Sequence, residues 1–184
     1  KLNLAAAMPL GIILLHNANV AAIIGLTWGI GIGYSALKHR ELAQSWLVAF
    51  CAGMPVLVGS VYRESIQLAP IALFAFFFFL NNARERLSDI RDRDADRGFK
   101  HTLATRHRVN MLSIMSIVIS LMFAAICLSP FPVVMAICTL LIGTATICSG
   151  QLFLFTRSPW LGSALLSLQL TMVTALVGTF MYAF

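Results

Sequence analysis

The chain has 184 residues, 59% of them hydrophobic and only 11% charged, whereas a soluble domain carries roughly 25% charged residues. Together with a mean hydropathy of +0.87, this excludes an ordinary water-soluble globule and implies an integral membrane protein. The formal net charge of +6 is read as the Lys and Arg excess of cytoplasmic loops rather than as a nucleic-acid surface, so no nucleic-acid partner is expected.

In chain order, the first apolar run, residues 4–15, ends at His16 and Asn17. It falls short of the about 20 residues of a full span, as for a helix whose start is missing. Residues 18–37 form a second span, rich in Gly25, Gly29, Gly31 and Gly33, small residues that let membrane helices approach closely. It closes on Tyr34 and Ser35 before a basic turn with Lys38, His39 and Arg40. A third span, 45–62, contains Pro55, a tolerated kink. The fourth, 68–87, carries Phe74 and the run Phe76 to Phe79, which suits core or lipid-facing packing, or alternatively a groove for an apolar ligand chain. A polar stretch then leads to a fifth span, 109–128. Ser129, Pro130, Phe131 and Pro132 break the chain before a sixth span, 133–155. A turn at 156–159 precedes a seventh, 160–182, with Trp160 and Tyr182 as interfacial anchors. The four cysteines (Cys51, Cys127, Cys138, Cys148) lie in apolar runs without metal-like spacing and are expected as unpaired thiols. The expected fold class is all-α: a polytopic transmembrane helical bundle of about seven spans, forming one transmembrane domain over residues 1–184.

Charge sets an expected orientation. If residues 88–108 form a cytoplasmic loop, twelve of the thirteen Lys and Arg fall on that side and only Arg63 lies opposite.

Residues 84–106 are the charged island of the chain. Five of the seven acidic residues, Glu85, Asp89, Asp92, Asp94 and Asp96, fall inside it. On a helix continued past Leu87, at about 100° per residue, Glu85, Asp89, Asp92 and Asp96 share one narrow face and Asp94 points elsewhere. Clustered carboxylates repel one another unless a cation is present, and hard oxygen donors suit Mg²⁺, which bridges to substrate phosphates. Interleaved bases (Arg91, Arg93, Arg97, Lys100, Arg106) are able to hold a diphosphate. The alternative is a solvated basic loop whose acids pair with their own arginines.

The pattern of residues 84–103, RERLSDIRDRDADRGFKHTL, resembles the second aspartate-rich motif of the UbiA superfamily of intramembrane prenyltransferases. That motif typically reads R-E-[I/L]-x-x-D-[I/V]-x-D-x-x-x-D and is followed by Gly, Lys, Thr and Leu. Arg84, Glu85, Asp89, Asp92, Asp96, Lys100, Thr102 and Leu103 match in type and order. Tyr34-Ser35 and the stretch 52–56 (AGMPV) resemble parts of the family's fourth and fifth helices, so the seven spans would correspond to helices three to nine of a nine-helix fold.

The resemblance implies Mg²⁺-dependent transfer of a polyprenyl group from a diphosphate to an acceptor, usually an aromatic ring, in quinone, chlorophyll or related isoprenoid biosynthesis. Asp89, Asp92 and Asp96 would be the catalytic metal ligands. Arg84, Arg97, Lys100 and Arg106 would bind the diphosphate, and Tyr34 and Asn82 would face the substrate cavity. For Tyr34 an interfacial anchor is the alternative; for Asn81 and Asn82 it is hydrogen bonding between helices. The family's first motif, N-D-x-x-D-x-x-x-D, has no counterpart, since no Asp precedes Asp89. The chain is therefore expected either to be N-terminally incomplete or to be a non-catalytic membrane subunit of a larger complex, holding a lipid or pigment. A transporter is disfavoured because the spans carry almost no ionisable residues at mid-membrane.

Overall fold

The computed structural model describes residues 17–37, 43–62, 68–92, 108–154 and 159–183. Six α-helices follow one another: α1 (Ala18–Leu37), α2 (Ala43–Tyr62), α3 (Leu68–Asp92), α4 (Arg108–Cys127), α5 (Pro132–Leu154) and α6 (Pro159–Ala183). They coincide with the second to seventh expected spans, and no strand occurs among the described residues. The first expected span, residues 4–15, lies outside the described residues.

Local chemistry sets the boundaries. Asn17 caps α1, its Oδ1 accepting from the backbone N–H of Asn19 at 3.1 Å and of Val20 at 3.2 Å, so two of the helix's orphan donors are satisfied. Between α4 and α5 the Phe131 N–H donates to the Leu128 carbonyl and the Met135 N–H to that of Phe131. Pro132 then stands first in α5 and Pro159 first in α6, positions where the missing N–H costs nothing. Pro55 sits inside α2 without interrupting it, exposed on a helix whose neighbours hold it.

Among the described residues, Gln44–Val61, Pro132–Leu152 and Trp160–Gly178 are long and apolar enough to cross a membrane, while Ala18–Tyr34 and Met111–Cys127 are shorter apolar stretches. Large apolar side chains such as Leu68, Met122, Leu140 and Leu154 are two-thirds or more exposed, as lipid-facing residues would be.

Cross-helix pairs run antiparallel. Trp46 meets Phe78 with ring centroids 5.2 Å apart and Phe50 meets Phe74 at 5.7 Å, so advancing along α2 retreats along α3. Ser116 meets Asn82, and Phe123 stacks on Phe79 at 5.9 Å, giving the same relation between α3 and α4. Cys138 against Thr171 and Val134 against Gly178 repeat it between α5 and α6. Besides these sequential neighbours, α3 also touches α6. The contact closes α3, α4, α5 and α6 around one apolar core that includes Phe76, Leu80, Leu87, Ile117, Ile142 and Leu168. Among the described residues α1 packs on α2 alone, and α2 on α1 and α3.

Two expectations are sharpened. The glycines of α1 were expected to mediate close helix approach, but a Cβ at Gly25, Gly29, Gly31 or Gly33 would meet nothing within 4 Å, because α1 has one described neighbour. Close approach occurs instead at Gly53, where a Cβ would stand 2.7 Å from the Phe74 ring, and at Gly178, 2.7 Å from Val134. The phenylalanine run packs between helices. Phe76 and Phe77 are buried, Phe78 faces Trp46 and Phe79 stacks on Phe123. The cysteines are free thiols, as expected.

Candidate functional site

α3 continues as one helix from its apolar half to Asp92, so the carboxylates of the charged island are positioned by the same element that anchors the core. Asp89 and Asp92, three residues apart, are separated by about 4.5 Å along the axis and about 60° around it, and both are half-buried. Arg91 forks onto Asp92, its Nε donating to Oδ1 at 2.8 Å and its Nη2 to Oδ2 at 3.1 Å, while the same Nη2 donates to Ser88 Oγ at 3.0 Å. The hydrogen bond and charge of Asp92 hold the exposed Arg91 guanidinium above its ordinary range. Arg84 pairs with Glu85 at 3.2 Å. Both are surface pairs of neighbouring residues, a class that contributes little to stability. Asp94, Asp96, Arg97, Lys100 and Arg106 lie outside the described residues. Among the described residues no three acidic, His or Cys side chains gather into a metal-sized group. Asp89 and Asp92 nonetheless offer the hard carboxylate oxygens that Mg²⁺ prefers.

Tyr34 is half-buried near the C-terminal end of α1. Asp89 lies near the C-terminal end of α3. α2 touches both α1 and α3, and among the described residues α1 makes no contact with α3.

Below the carboxylates the α3–α4 interface carries a buried polar seam. Asn81, Asn82 and Arg86 on α3 and Ser113, Ser116 and Ser120 on α4 are all buried, and Ser116 meets Asn82 across the interface. Asn81 Nδ2 donates to the Phe77 carbonyl at 3.0 Å within its own helix. Asn82 Oδ1 accepts from Arg86 Nε at 2.7 Å and from Ser116 Oγ at 3.4 Å. Asn82 thus links the two helices, which is the alternative considered for it from sequence. The Asn82 Nδ2 and Arg86 Nη1 donors have no partner among the described residues. A buried donor left unpaired costs about 1–3 kcal/mol, more when it is charged.

Arg86 was not among the residues singled out from sequence. Its position is where the quoted family pattern has Ile or Leu, and it reads there as one more base in a basic stretch. The signal available was its i, i+4 relation to Asn82 on the face that also holds Asp89.

A cavity of about 420 Å³ opens between α1 and α2, lined by Ile24, Thr27, Trp28, Cys51, Met54 and Val58 together with Pro55. None of the phenylalanines of α3 lines it.

Compared with known proteins, residues 2–164 match the model of one family, described as the UbiA prenyltransferase family. No curated protein and no solved structure matches the chain.

Proposed function

Because the chain belongs to the UbiA prenyltransferase family, we propose that it catalyses Mg²⁺-dependent transfer of a polyprenyl group from its diphosphate to an acceptor, an aromatic ring in the first instance, within the membrane. The observation that carries this reading is the helical continuity of α3 through Asp92, which sets Asp89 and Asp92 on neighbouring faces at one end of the bundle, above the buried polar seam.

Asp89, Asp92 and Asp96 would hold Mg²⁺, which when bound neutralises charge on the diphosphate leaving group. Arg84, Arg97, Lys100 and Arg106 bind the non-bridging phosphate oxygens, the arginines through their two-pronged fork. The Arg91 fork occupies both Asp92 oxygens and opens when that carboxylate takes a cation. Asn82 and Tyr34 face the substrates from α3 and α1. The prenyl chain lies among the apolar helices, and the acceptor attacks the allylic carbon as the bond to the diphosphate oxygen lengthens, under electrostatic stabilisation of that oxygen. The whole forms one transmembrane domain. The segment 88–108, expected from sequence as a loop but beginning with the last residues of α3 and ending at the first of α4, faces the cytoplasm, where twelve of the thirteen Lys and Arg collect. Membrane lipids surround the bundle.

Asp92→Asn in the full-length protein is expected to abolish Mg²⁺-dependent transfer of prenyl groups in a membrane assay with radiolabelled prenyl diphosphate; unchanged turnover would sink the assignment. A second reading is a non-catalytic member of the same family within a larger membrane complex. On that reading the wild-type protein shows no transfer, and it co-purifies with partner subunits.

A further inference from the structure

Inside the α3–α4 interface, two hydrogen-bond donors on touching side chains face no acceptor among the described residues: Asn82 Nδ2 and Arg86 Nη1. Their residues are 1% and 3% exposed, so bulk water does not satisfy them. The Arg86 Nε–Asn82 Oδ1 bond of 2.7 Å fixes the pair and leaves the Asn82 Nδ2 and Arg86 Nη1 groups unpartnered. Ser116 donates into the same Asn82 oxygen from α4, which holds the amide with its nitrogen turned away from that bond. Ser149 Oγ is likewise unpartnered, but it is a single neutral hydroxyl on α5 and attracts no charge.

The chemistry of the pair limits its occupant. Guanidinium offers donors only, and an unbonded amide nitrogen adds another, so a cation is excluded and an acceptor oxygen is required. A bridging water accepts from both donors but does not offset a buried positive charge, which is costly to leave uncompensated. Asp89 is the carboxylate whose charge acts on Arg86, and in the proposed reaction it is committed to the metal. Asn82, Arg86 and Asp89 lie within about 60° of one another around α3, with Arg86 about 4.5 Å and Asn82 about 10 Å below Asp89 along the axis. An oxyanion there lies directly beneath the carboxylates.

We propose that Asn82 and Arg86 form a buried oxyanion-binding pair that receives an acidic oxygen of one substrate, one to two helical turns below the metal-binding carboxylates. The proposal rests on the prenyl-transfer reading and adds to it a site, a ligand chemistry and a residue, Arg86, that the motif does not supply. The oxygen has two possible sources, the diphosphate of the prenyl donor and a carboxylate on the acceptor.

The test uses the full-length protein in detergent micelles, titrated calorimetrically with inorganic diphosphate in the presence of Mg²⁺ and, separately, with benzoate. Arg86→Met is expected to weaken binding by about tenfold or more, the scale of a lost charge-assisted fork, and Arg86→Lys to restore part of it. Loss for diphosphate assigns the pair to the donor, loss for benzoate to the acceptor, and loss for both to a site the two share. Asn82→Asp, which gives Arg86 a carboxylate of its own, is expected to produce the same loss with the melting temperature kept or raised, and so separates ligand binding from folding. The proposal is overturned if wild type binds neither anion, or if both Met and Asp variants bind both anions as wild type does, including the case where only the melting temperature falls and Arg86 is a structural clamp. Asp92→Asn separates the two levels. If it abolishes transfer while the Arg86 and Asn82 variants keep both affinities, the pair alone is refuted; if it leaves transfer intact, the prenyl-transfer reading fails whatever Arg86 does.

Discussion

Asp92 and Arg86 show how differently two charged side chains on one helix are treated. Asp92 is nearly half exposed and held by a more exposed Arg91, whereas Arg86 is buried and leans on an amide. If Asp92 is a metal ligand, Arg91 competes with the metal. Arg91→Gln is therefore expected to lower the Mg²⁺ concentration for half-maximal transfer by about two- to fivefold, as suits an exposed ion pair, and a Mg²⁺ titration of activity reads it. Within the seam, the long 3.4 Å contact from Ser116 predicts that Ser116→Ala costs under about 1 kcal/mol. Asn82→Leu, which takes the acceptor from Arg86 Nε, is expected to cost about 1–3 kcal/mol; denaturant unfolding in micelles compares the two. The carboxylates were legible in sequence because acids are scarce in an apolar chain and their spacing matches a helix face. The burial of Arg86 was not, since a helical wheel gives a direction but not the neighbour that fills it. That neighbour, the serines of α4, lies some thirty residues on in sequence, and no local pattern in α3 encodes it.

At the level of helices, the apolar run lengths and the breakers (Asn17, Pro132, Pro159) were sufficient to place six of the expected spans within a few residues, because each boundary is a local event of capping or a missing N–H. Which glycines matter was not a local event. Gly29 and Gly53 look alike in sequence, yet a Cβ meets open space at the first and the Phe74 ring at the second. Gly53→Val is expected to destabilise by about 1–3 kcal/mol through overpacking. Gly29→Ala should be neutral or stabilising by about 0.5–1 kcal/mol, since glycine is the poorer residue inside a helix. Thermal unfolding of the two variants in the same detergent decides between them.

For the molecule as a whole, the division of labour is uneven. The core cluster belongs to α3, α4, α5 and α6 with the turn residue Leu128, and among the described residues α1 is attached through α2 alone. Hydrogen exchange in micelles should accordingly find the slowest amides in α3 and α5 and faster exchange in α1, because local opening follows the density of buried contacts. Equal protection in α1 would mean that a further element covers it. The bundle class was legible from composition, whereas the α3–α6 contact was not, since no periodicity within either helix encodes a partner so distant in the chain.

That contact has a consequence for biosynthesis. Among the described residues, α3 is absent from both the long and the shorter apolar stretches, as its last three turns carry asparagines, arginines and acids. Polar residues of this kind disfavour insertion of an isolated helix into lipid. Its polar seam is covered by α4, and other parts of its surface by α2 and by α6, the last of the six described helices. α3 is thus a segment that the insertion machinery must hold, or release into a protein-lined space, until the C-terminal helices have been synthesised. A chain ending before α6 should leave α3 accessible from the aqueous side.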